Sequence, residues 1–170
     1  MKKIDIRDLT DNAIIAAIYV VFTIILGQFA YQSIQFRIAE ILLLLCFYRK
    51  RYIFGVTIGC LIANFFSTDL GMVDVVFGTL ATLISALLIS FSKKLFIAWI
   101  FPIVLNAIVI GLELHFVLGL PLWASIGTVA LGEGAVMLVG LIVFLILEKR
   151  PTFLNFIRAE QNLPYNSVEE

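Results

Sequence analysis

Residues 41–56, ILLLLCFYRKRYIFGV, contain the pattern that decides the fold. The Arg-Lys-Arg triplet at 49–51 separates two apolar stretches, Ile38–Tyr48 and Tyr52–Phe66. Each stretch is shorter than the roughly 20 residues that cross a bilayer core as an α-helix. Burial against protein can shelter irregular backbone at the ends of such segments, so we interpret both stretches as short membrane helices.

Four longer apolar stretches surround this pair: Asn12–Ala30, Val73–Phe91, Leu95–Leu118 and Pro121–Leu147. Over the whole chain, 62% of the residues are hydrophobic and 14% are charged, with a mean hydropathy of +1.07. A soluble domain carries about 25% charged residues, so this chain lacks the polar surface that water requires. The sequence predicts an all-α integral membrane bundle of six transmembrane helices over residues 1–158, followed by a short polar tail over 159–170.

The positive charges predict the orientation of this bundle. With six spans, every Lys and Arg except Arg37 falls on one side of the membrane: Lys2, Lys3, Arg7, Arg49, Lys50, Arg51, Lys93, Lys94, Lys149, Arg150 and Arg158. Cationic loops are retained in the cytoplasm, so both termini are predicted to be cytoplasmic, in a multi-pass protein of the bacterial plasma membrane. The net charge is zero, which gives no general attraction to nucleic acid.

Small residues at intervals of four predict close helix packing. Gly55, Gly59 and Ala63 follow this spacing in the third helix, and Ala13 and Ala17 follow it in the first. For the third helix we expect packing inside the bundle. For the first helix, the spacing alone leaves internal packing and contact with a partner subunit both open.

Polar residues in the outer part of the bundle are the candidate site residues, because a charge at mid-bilayer costs about 2.5–3.5 kcal/mol on insertion. Arg37 and Glu40, three residues apart, can form an ion pair or contact a ligand. Asp74 follows the predicted outer loop and can cap the fourth helix or face a ligand. Thr82 continues a small, weakly polar stripe below Asp74. His115 is expected to be a loop residue near the surface.

Asn106, Glu113 and Glu133 form the most informative set. Asn106 and Glu113 are seven residues apart and therefore share a helix face. From helix rise, Asn106 lies about 18 Å from the inner edge, Glu133 about 22 Å and Glu113 about 28 Å. Gly132 and Gly134 flank Glu133 and leave room for a flat group. These residues predict a pocket open to the outside, with a proton relay or plain interhelical bonding as alternatives.

Motifs for catalysis are absent from the sequence. It contains no GxxxxGK[ST] phosphate loop, no HExxH and no GxSxG, and it has a single His. We therefore predict neither catalytic residues nor a metal site nor a cofactor. A binding subunit that takes its energy from elsewhere fits the sequence better than an enzyme.

Five blocks of the sequence, in order, resemble the queuosine-precursor transporter (QueT) family. The blocks are QFRIAE (35–40), GCLIAN (59–64), DVVFGTLATL (74–83), NA (106–107) with GLEL (111–114), and GE (132–133). The resemblance covers roughly residues 11–145. Gly134 departs from the larger apolar residue expected after Gly-Glu.

The resemblance implies the six-helix fold of a substrate-binding (S) component of energy-coupling factor (ECF) transporters. Its implied partners are membrane lipid, a transmembrane scaffold subunit and two ATPase subunits. The family's Ala-x-x-x-Ala patch, which meets the scaffold, matches Ala13 and Ala17. The implied ligand is a 7-deazaguanine base, with Glu133 on the guanine edge, Asn106 on the carbonyl region and Glu113 on an amine. Alternative functions are a self-standing proton-coupled transporter, an S component for another vitamin, and a purely structural subunit.

Overall fold

A computed structural model of the chain describes residues 5–25, 37–66 and 71–162. These residues form helices and contain no strand, which confirms the all-helical prediction for this part of the chain. The elements are α1 (Ile6–Ile25), a 3-10 helix (Ile38–Leu44) that runs into α2 (Leu45–Tyr48), α3 (Tyr52–Phe65), α4 (Met72–Phe91), α5 (Leu95–Ala98), α6 (Ile100–Leu118), α7 (Leu122–Leu147) and α8 (Pro151–Phe156). Lys2, Lys3, the end of the first predicted stretch at Ala30 and tail residues 163–170 lie outside the described residues.

Four helical stretches are long and apolar enough to cross a membrane: Ile6–Ile25, Met72–Phe91, Leu95–Leu118 and Leu122–Leu147. They agree with four of the predicted stretches, except that α1 begins at Ile6 rather than Asn12. The other two predicted stretches are the shorter helices Ile38–Tyr48 and Tyr52–Phe65. From the rise of 3-10 and α-helices, each of these is about 20 Å long, against about 30 Å for a bilayer core.

The 3-10 helix lies in the interior of the bundle. It packs against α1, α3, α4 and α7, and Leu43, Leu44 and Cys46 around its end are fully buried. Seven residues is a long run for 3-10 geometry, whose hydrogen bonds are weaker than those of an α-helix. Because protein rather than lipid surrounds this segment, its irregular backbone is tolerated at membrane depth. The same position brings Arg37 and Glu40 into the centre of the bundle.

Helix α3 packs directly on α1 through its glycines. A Cβ atom at Gly59 would lie 2.7 Å from the Tyr19 Cβ and 3.0 Å from the Ala16 Cα. Gly55 is as close to Asn12, whose Oδ1 accepts a hydrogen bond from the Gly55 N–H at 2.7 Å. This confirms the prediction that the small residues of the third helix serve packing within the bundle.

A buried cluster of ion pairs, here called the cationic end, closes one end of the bundle. The Asp8 carboxylate accepts hydrogen bonds from Arg49 and Arg51, and Asp11 lies 3.5 Å from Arg49 and 3.3 Å from Arg158. Both Asp8 and Arg49 are buried. The described chain therefore begins and ends at the same end of the bundle, where the triplet at 49–51 also lies.

Residues 160–162 complete the cationic end, and neither their contacts nor α8 was predicted. The N–H groups of Glu160 and Gln161 donate to the Tyr48 carbonyl at 2.9 and 3.1 Å. The Asn162 side chain donates to the carbonyls of Phe47 at 2.7 Å and Ser92 at 3.1 Å. Helix C-termini leave their last carbonyls without intrahelical partners, so these bonds satisfy the ends of α2 and α4.

We predict that Gly59→Ala destabilises the protein, because the new methyl group overlaps α1. Overpacking of this kind costs about 1–3 kcal/mol. Gly127→Ala is the matched control, since a Cβ there meets nothing within 4 Å. Thermal unfolding in detergent micelles measures both variants, and an equal midpoint for the two would contradict the α1–α3 contact.

Candidate functional site

Arg37 joins three segments at the end of the bundle opposite the cationic end. Its Nη2 donates to Asn64 Oδ1 at 2.8 Å and lies 3.7 Å from Asp74 Oδ1. Asn64 in turn donates from Nδ2 to the Asp74 backbone carbonyl at 2.9 Å. All three side chains are buried. Gly78 makes room for this arrangement, because a Cβ there would lie 2.3 Å from Asp74 Oδ1.

Glu40 has one oxygen bonded and the other free. Tyr19 and Thr82 both donate to its Oε1, at 2.7 and 3.1 Å, whereas Oε2 is buried and has no hydrogen-bond partner in the described part of the chain. The sequence left open an ion pair between Arg37 and Glu40 or contact with a ligand, and in the structure Arg37 forms its ion pair with Asp74 instead. Arg37 precedes the 3-10 helix and has non-helical backbone angles, so its side chain does not share a helix face with Glu40. The Arg37 guanidinium lies beside the Asp74 carboxylate.

Two further expectations are corrected. Asp74 does not cap α4: it is the third residue of that helix, and Gly71 occupies the capping position without a side-chain bond. The Asp74 carboxylate therefore faces Arg37 inside the bundle. His115 is not a loop residue but lies in the last turn of α6, where its Nδ1 is 2.7 Å from the Leu120 carbonyl and donates to it.

Asn106, Glu113 and Glu133 are buried next to this group. Asn106 lies beside the Glu133 carboxylate, which also interacts electrostatically with Glu40 and Arg37. Glu113 interacts electrostatically with Asp74 and Arg37. Four acidic candidates, Glu40, Asp74, Glu113 and Glu133, thus lie near the Arg37 guanidinium, and the sixth candidate, Asn106, lies beside Glu133.

Close contact between α6 and α7 sets the positions of these side chains. A Cβ at Gly111 would lie 2.6 Å from Ile126 Cγ1 and 3.0 Å from the Ile126 Cα, so the two backbones approach at this level. Asn106 lies five residues before Gly111 on α6, and Glu133 lies seven residues after Ile126 on the antiparallel α7, so these two side chains lie at a similar depth. Glu113 lies about 10 Å from Asn106 along α6. A Cβ at Gly134 would meet nothing within 4 Å, so this flank of Glu133 is open.

Many polar atoms of this region have no hydrogen-bond partner among the described residues. They are Arg37 Nη1, Glu40 Oε2, Asp74 Oδ1, Ser85 Oγ, both amide atoms of Asn106, both carboxylate oxygens of Glu113, and Glu133 Oε1. Buried polar groups in folded proteins are nearly always paired, because an unpaired one costs about 1–3 kcal/mol. This set of unpaired atoms in the interior of the bundle therefore marks a candidate binding site. No group of three metal-ligating side chains is arranged to hold an ion within the described ranges.

Tyr19 was not among the predicted site residues. It is almost fully buried in α1, and its hydroxyl is one of the two donors to Glu40. The only signal in the sequence is that Ala16 and Tyr19 are three residues apart and so share a helix face; the structure shows that both contact Gly59. The sequence alone does not show that the Tyr19 hydroxyl bonds Glu40, because a Tyr in an apolar helix can equally be a core residue.

Within the described residues, the chain is an all-helical bundle with four helices long and apolar enough to cross a membrane and with a cluster of unpaired polar atoms in its interior. The family model described as QueT transporter matches residues 9–149. A curated relative from Lactococcus lactis subsp. cremoris (strain MG1363) is named queuosine precursor transporter QueT. It is 38% identical to this chain, and the aligned region covers 88% of this chain and 97% of the relative. No solved structure matches the chain.

The chain belongs to the QueT transporter family. This confirms the family that the five sequence blocks indicated. Both the family and the curated relative are transporters, which confirms the prediction that the chain is not an enzyme.

We predict that Thr82→Val destabilises the unliganded protein by about 2 kcal/mol, because it removes a donor to a buried carboxylate. Thr79→Val is the matched control on the same helix. The Thr79 hydroxyl is buried without a partner, so its loss is expected to be neutral or stabilising. Unfolding midpoints of the two variants measure the difference, and a Thr79→Val protein less stable than Thr82→Val would contradict the assignment of the Glu40 donors.

Proposed function

We propose that this chain is the substrate-binding (S) component of an ECF importer and that it captures a queuosine precursor, a 7-deazaguanine base, from outside the cell. The observation that carries the proposal is the set of unpaired carboxylate and amide atoms buried inside the bundle of a QueT family member. The name of the Lactococcus relative supports the same class of substrate.

The distribution of charge supports an outward-facing site in a multi-pass protein of the plasma membrane. Arg49, Arg51 and Arg158 gather at the cationic end, and by the positive-inside rule this end lies in the cytoplasm with both termini. Arg37 lies at the other end of the segment that leads to Arg49, about 20 Å away along the helix. Ligand then enters from the side opposite the cytoplasm.

The chemistry of a guanine-like base suits the unpaired atoms. Its edge presents adjacent N–H donors that one carboxylate accepts together, and Glu133 is the buried carboxylate next to an amide, Asn106, that can serve the neighbouring carbonyl. Glu113 then receives the substituent of the base. Arg37, Glu40 and Asp74 complete the wall around it. A site of this kind discriminates strongly, because a ligand without matching donors leaves buried carboxylates unpaired.

Energy for transport comes from partners in this proposal, since the sequence has no phosphate-binding loop. The partners are a transmembrane scaffold subunit and two ATPase subunits. Ala13 and Ala17 lie on the exposed face of α1, whose other face packs on α3. Small side chains on an exposed helix face allow a second helix to approach closely in lipid.

We predict tight one-to-one binding of a 7-deazaguanine base to the purified chain, with no heat of binding for riboflavin, thiamine or biotin. Glu133→Gln is expected to weaken binding about 10–100-fold, because a neutral amide donates where the ligand also donates. Glu160→Gln, at the half-exposed cationic end, is the control and leaves affinity unchanged. Isothermal calorimetry in detergent measures all three proteins.

Failure of every deazaguanine to bind would refute the proposed substrate. Binding of another vitamin instead would keep the S component and replace its ligand. Proton-dependent uptake by vesicles that contain this chain without ATPases would refute the ECF role.

We predict that Ala17→Trp prevents assembly with a co-expressed scaffold and ATPase module, because the indole blocks close approach of a partner helix. Ala135→Trp, on an exposed face of α7, is the matched control and should assemble normally. Affinity co-purification measures assembly, and calorimetry confirms that both variants still bind ligand. Equal recovery of the module with both variants would refute the α1 interface.

A further inference from the structure

Tyr19 connects helix α1 to the candidate site through the Glu40 carboxylate. Resting on the proposed function, we infer that Tyr19 and Thr82 are positioning residues, which hold Oε1 of Glu40 and thereby present Oε2 as an acceptor for an N–H of the bound base. Three observations support this: the two hydrogen bonds to one oxygen, the chain of donors behind Thr82, and the helix packing that places Tyr19.

Both hydrogen bonds to Glu40 fall on the same carboxylate oxygen. The Tyr19 hydroxyl donates to Oε1 from α1 at 2.7 Å, and the Thr82 hydroxyl donates to it from α4 at 3.1 Å. The terminal torsion of a glutamate side chain is soft, so donors from two different helices restrict it. Oε2 is buried and receives no donor from the residues that the structure describes. The free oxygen is therefore held in one place inside the bundle.

A chain of donors behind Thr82 directs its hydroxyl hydrogen toward Glu40. Asn64, whose Oδ1 already accepts from the guanidinium group, donates from Nδ2 to the Cys60 Sγ at 3.5 Å. The same Sγ lies 3.2 Å from the Thr82 hydroxyl and 3.9 Å from the Gly78 carbonyl. With the Thr82 oxygen as its closer acceptor, the Cys60 thiol leaves the Thr82 hydrogen for Glu40. An ionised carboxylate only accepts, so Glu40 is a suitable end for this chain.

Close packing of α1 on α3 places the Tyr19 hydroxyl beside Glu40. Gly59 allows this approach, because a Cβ there would lie 2.7 Å from the Tyr19 Cβ. Tyr19 is almost completely buried. A tyrosine ring has only two side-chain torsions, so a fixed helix and a packed ring also fix its hydroxyl. The register of α1 on α3 therefore determines where the donor to Glu40 lies.

The free oxygen of Glu40 suits the 2-amino group of a guanine-like base. In the proposed site, the Glu133 carboxylate accepts the ring N–H and one of the two amino hydrogens. The second amino hydrogen needs another acceptor, because a buried unpaired donor weakens binding. Glu40 interacts electrostatically with Glu133 and has an oxygen free, so it is placed to accept that hydrogen. A base without the 2-amino group gains nothing from this oxygen.

The test measures affinities of the full-length chain in detergent by calorimetry. The ligands are the 7-cyano and 7-aminomethyl derivatives of 7-deazaguanine, each compared with its 7-deazahypoxanthine counterpart, which lacks the 2-amino group. Tyr19→Phe should weaken the deazaguanines about 10-fold and their counterparts by less than about threefold. Tyr52→Phe is the matched control, since it also removes a buried hydroxyl, which donates to the Ile157 carbonyl at the cationic end at 2.6 Å. It should leave every affinity unchanged.

A double-mutant cycle separates positioning of Glu40 from a general loss of packing. Glu40→Gln retains an acceptor for the two hydroxyl groups but places an amide N–H₂ at the free oxygen, so it should weaken the deazaguanines about 10–100-fold. Tyr19→Phe added to Glu40→Gln should weaken them by less than about twofold more, because the acceptor that Tyr19 positions is already lost. Independent actions of the two residues would instead multiply their separate effects.

The outcomes separate this inference from the function on which it rests. Three results overturn the inference and leave deazaguanine capture intact: unchanged affinity in Tyr19→Phe, equal weakening of bases with and without the 2-amino group, and multiplied effects in the double variant. If Tyr19→Phe does not fold, Thr82→Val removes the other donor and should show the same difference between paired bases. Absence of binding of every base to the unmodified chain overturns the proposed substrate and the inference together.

Discussion

A guanidinium group inside a membrane bundle must be neutralised by protein, and the arrangement around Arg37 depends on this requirement. Its partners come from different elements: Asn64, near the end of α3, accepts a hydrogen bond, and Asp74, near the start of α4, supplies a negative charge. Glu113 and Glu133 on the last two long helices also act on Arg37. The central 3-10 segment is what carries this cation into the interior. Its irregular backbone is tolerated because other helices enclose it.

The two ends of the bundle differ in whether their buried charged groups are paired. At the cationic end, the Asp8 carboxylate accepts hydrogen bonds from both Arg49 and Arg51, so these buried charges are paired. Residues 160–162 also donate hydrogen bonds to the last carbonyls of α2 and α4. At the other end, acids exceed cations and several oxygens stay unpaired. Natural proteins break the rule of paired buried groups at functional sites and satisfy it elsewhere. The contrast separates the part that holds the helices together from the part that we propose as the ligand site.

Much of the fold follows from the sequence because apolar length and cationic loops are local signals. The bounds of α3 and α7 differ from the predicted stretches by one residue, and Gly55 and Gly59 correctly indicated tight packing. The partners of Arg37 and the role of Asp74 did not follow, because they depend on which segments meet in space. Tyr19 escaped notice since its contact with Glu40 spans 21 residues of chain. Helix α8 has six residues, which is too short for apolar periodicity to reveal it.

The bonds of residues 160–162 also bear on the order in which the protein is made. Chains emerge from the ribosome N-terminus first. Asp8 can meet Arg49 and Arg51 as soon as residue 51 has been synthesised, so α1 can be joined to the central segment early. The carbonyls of Tyr48 and Ser92, by contrast, wait for Glu160 and Asn162, which follow α7 in the chain. Closure of the cationic end therefore comes after every described helix that lines the candidate site has been made.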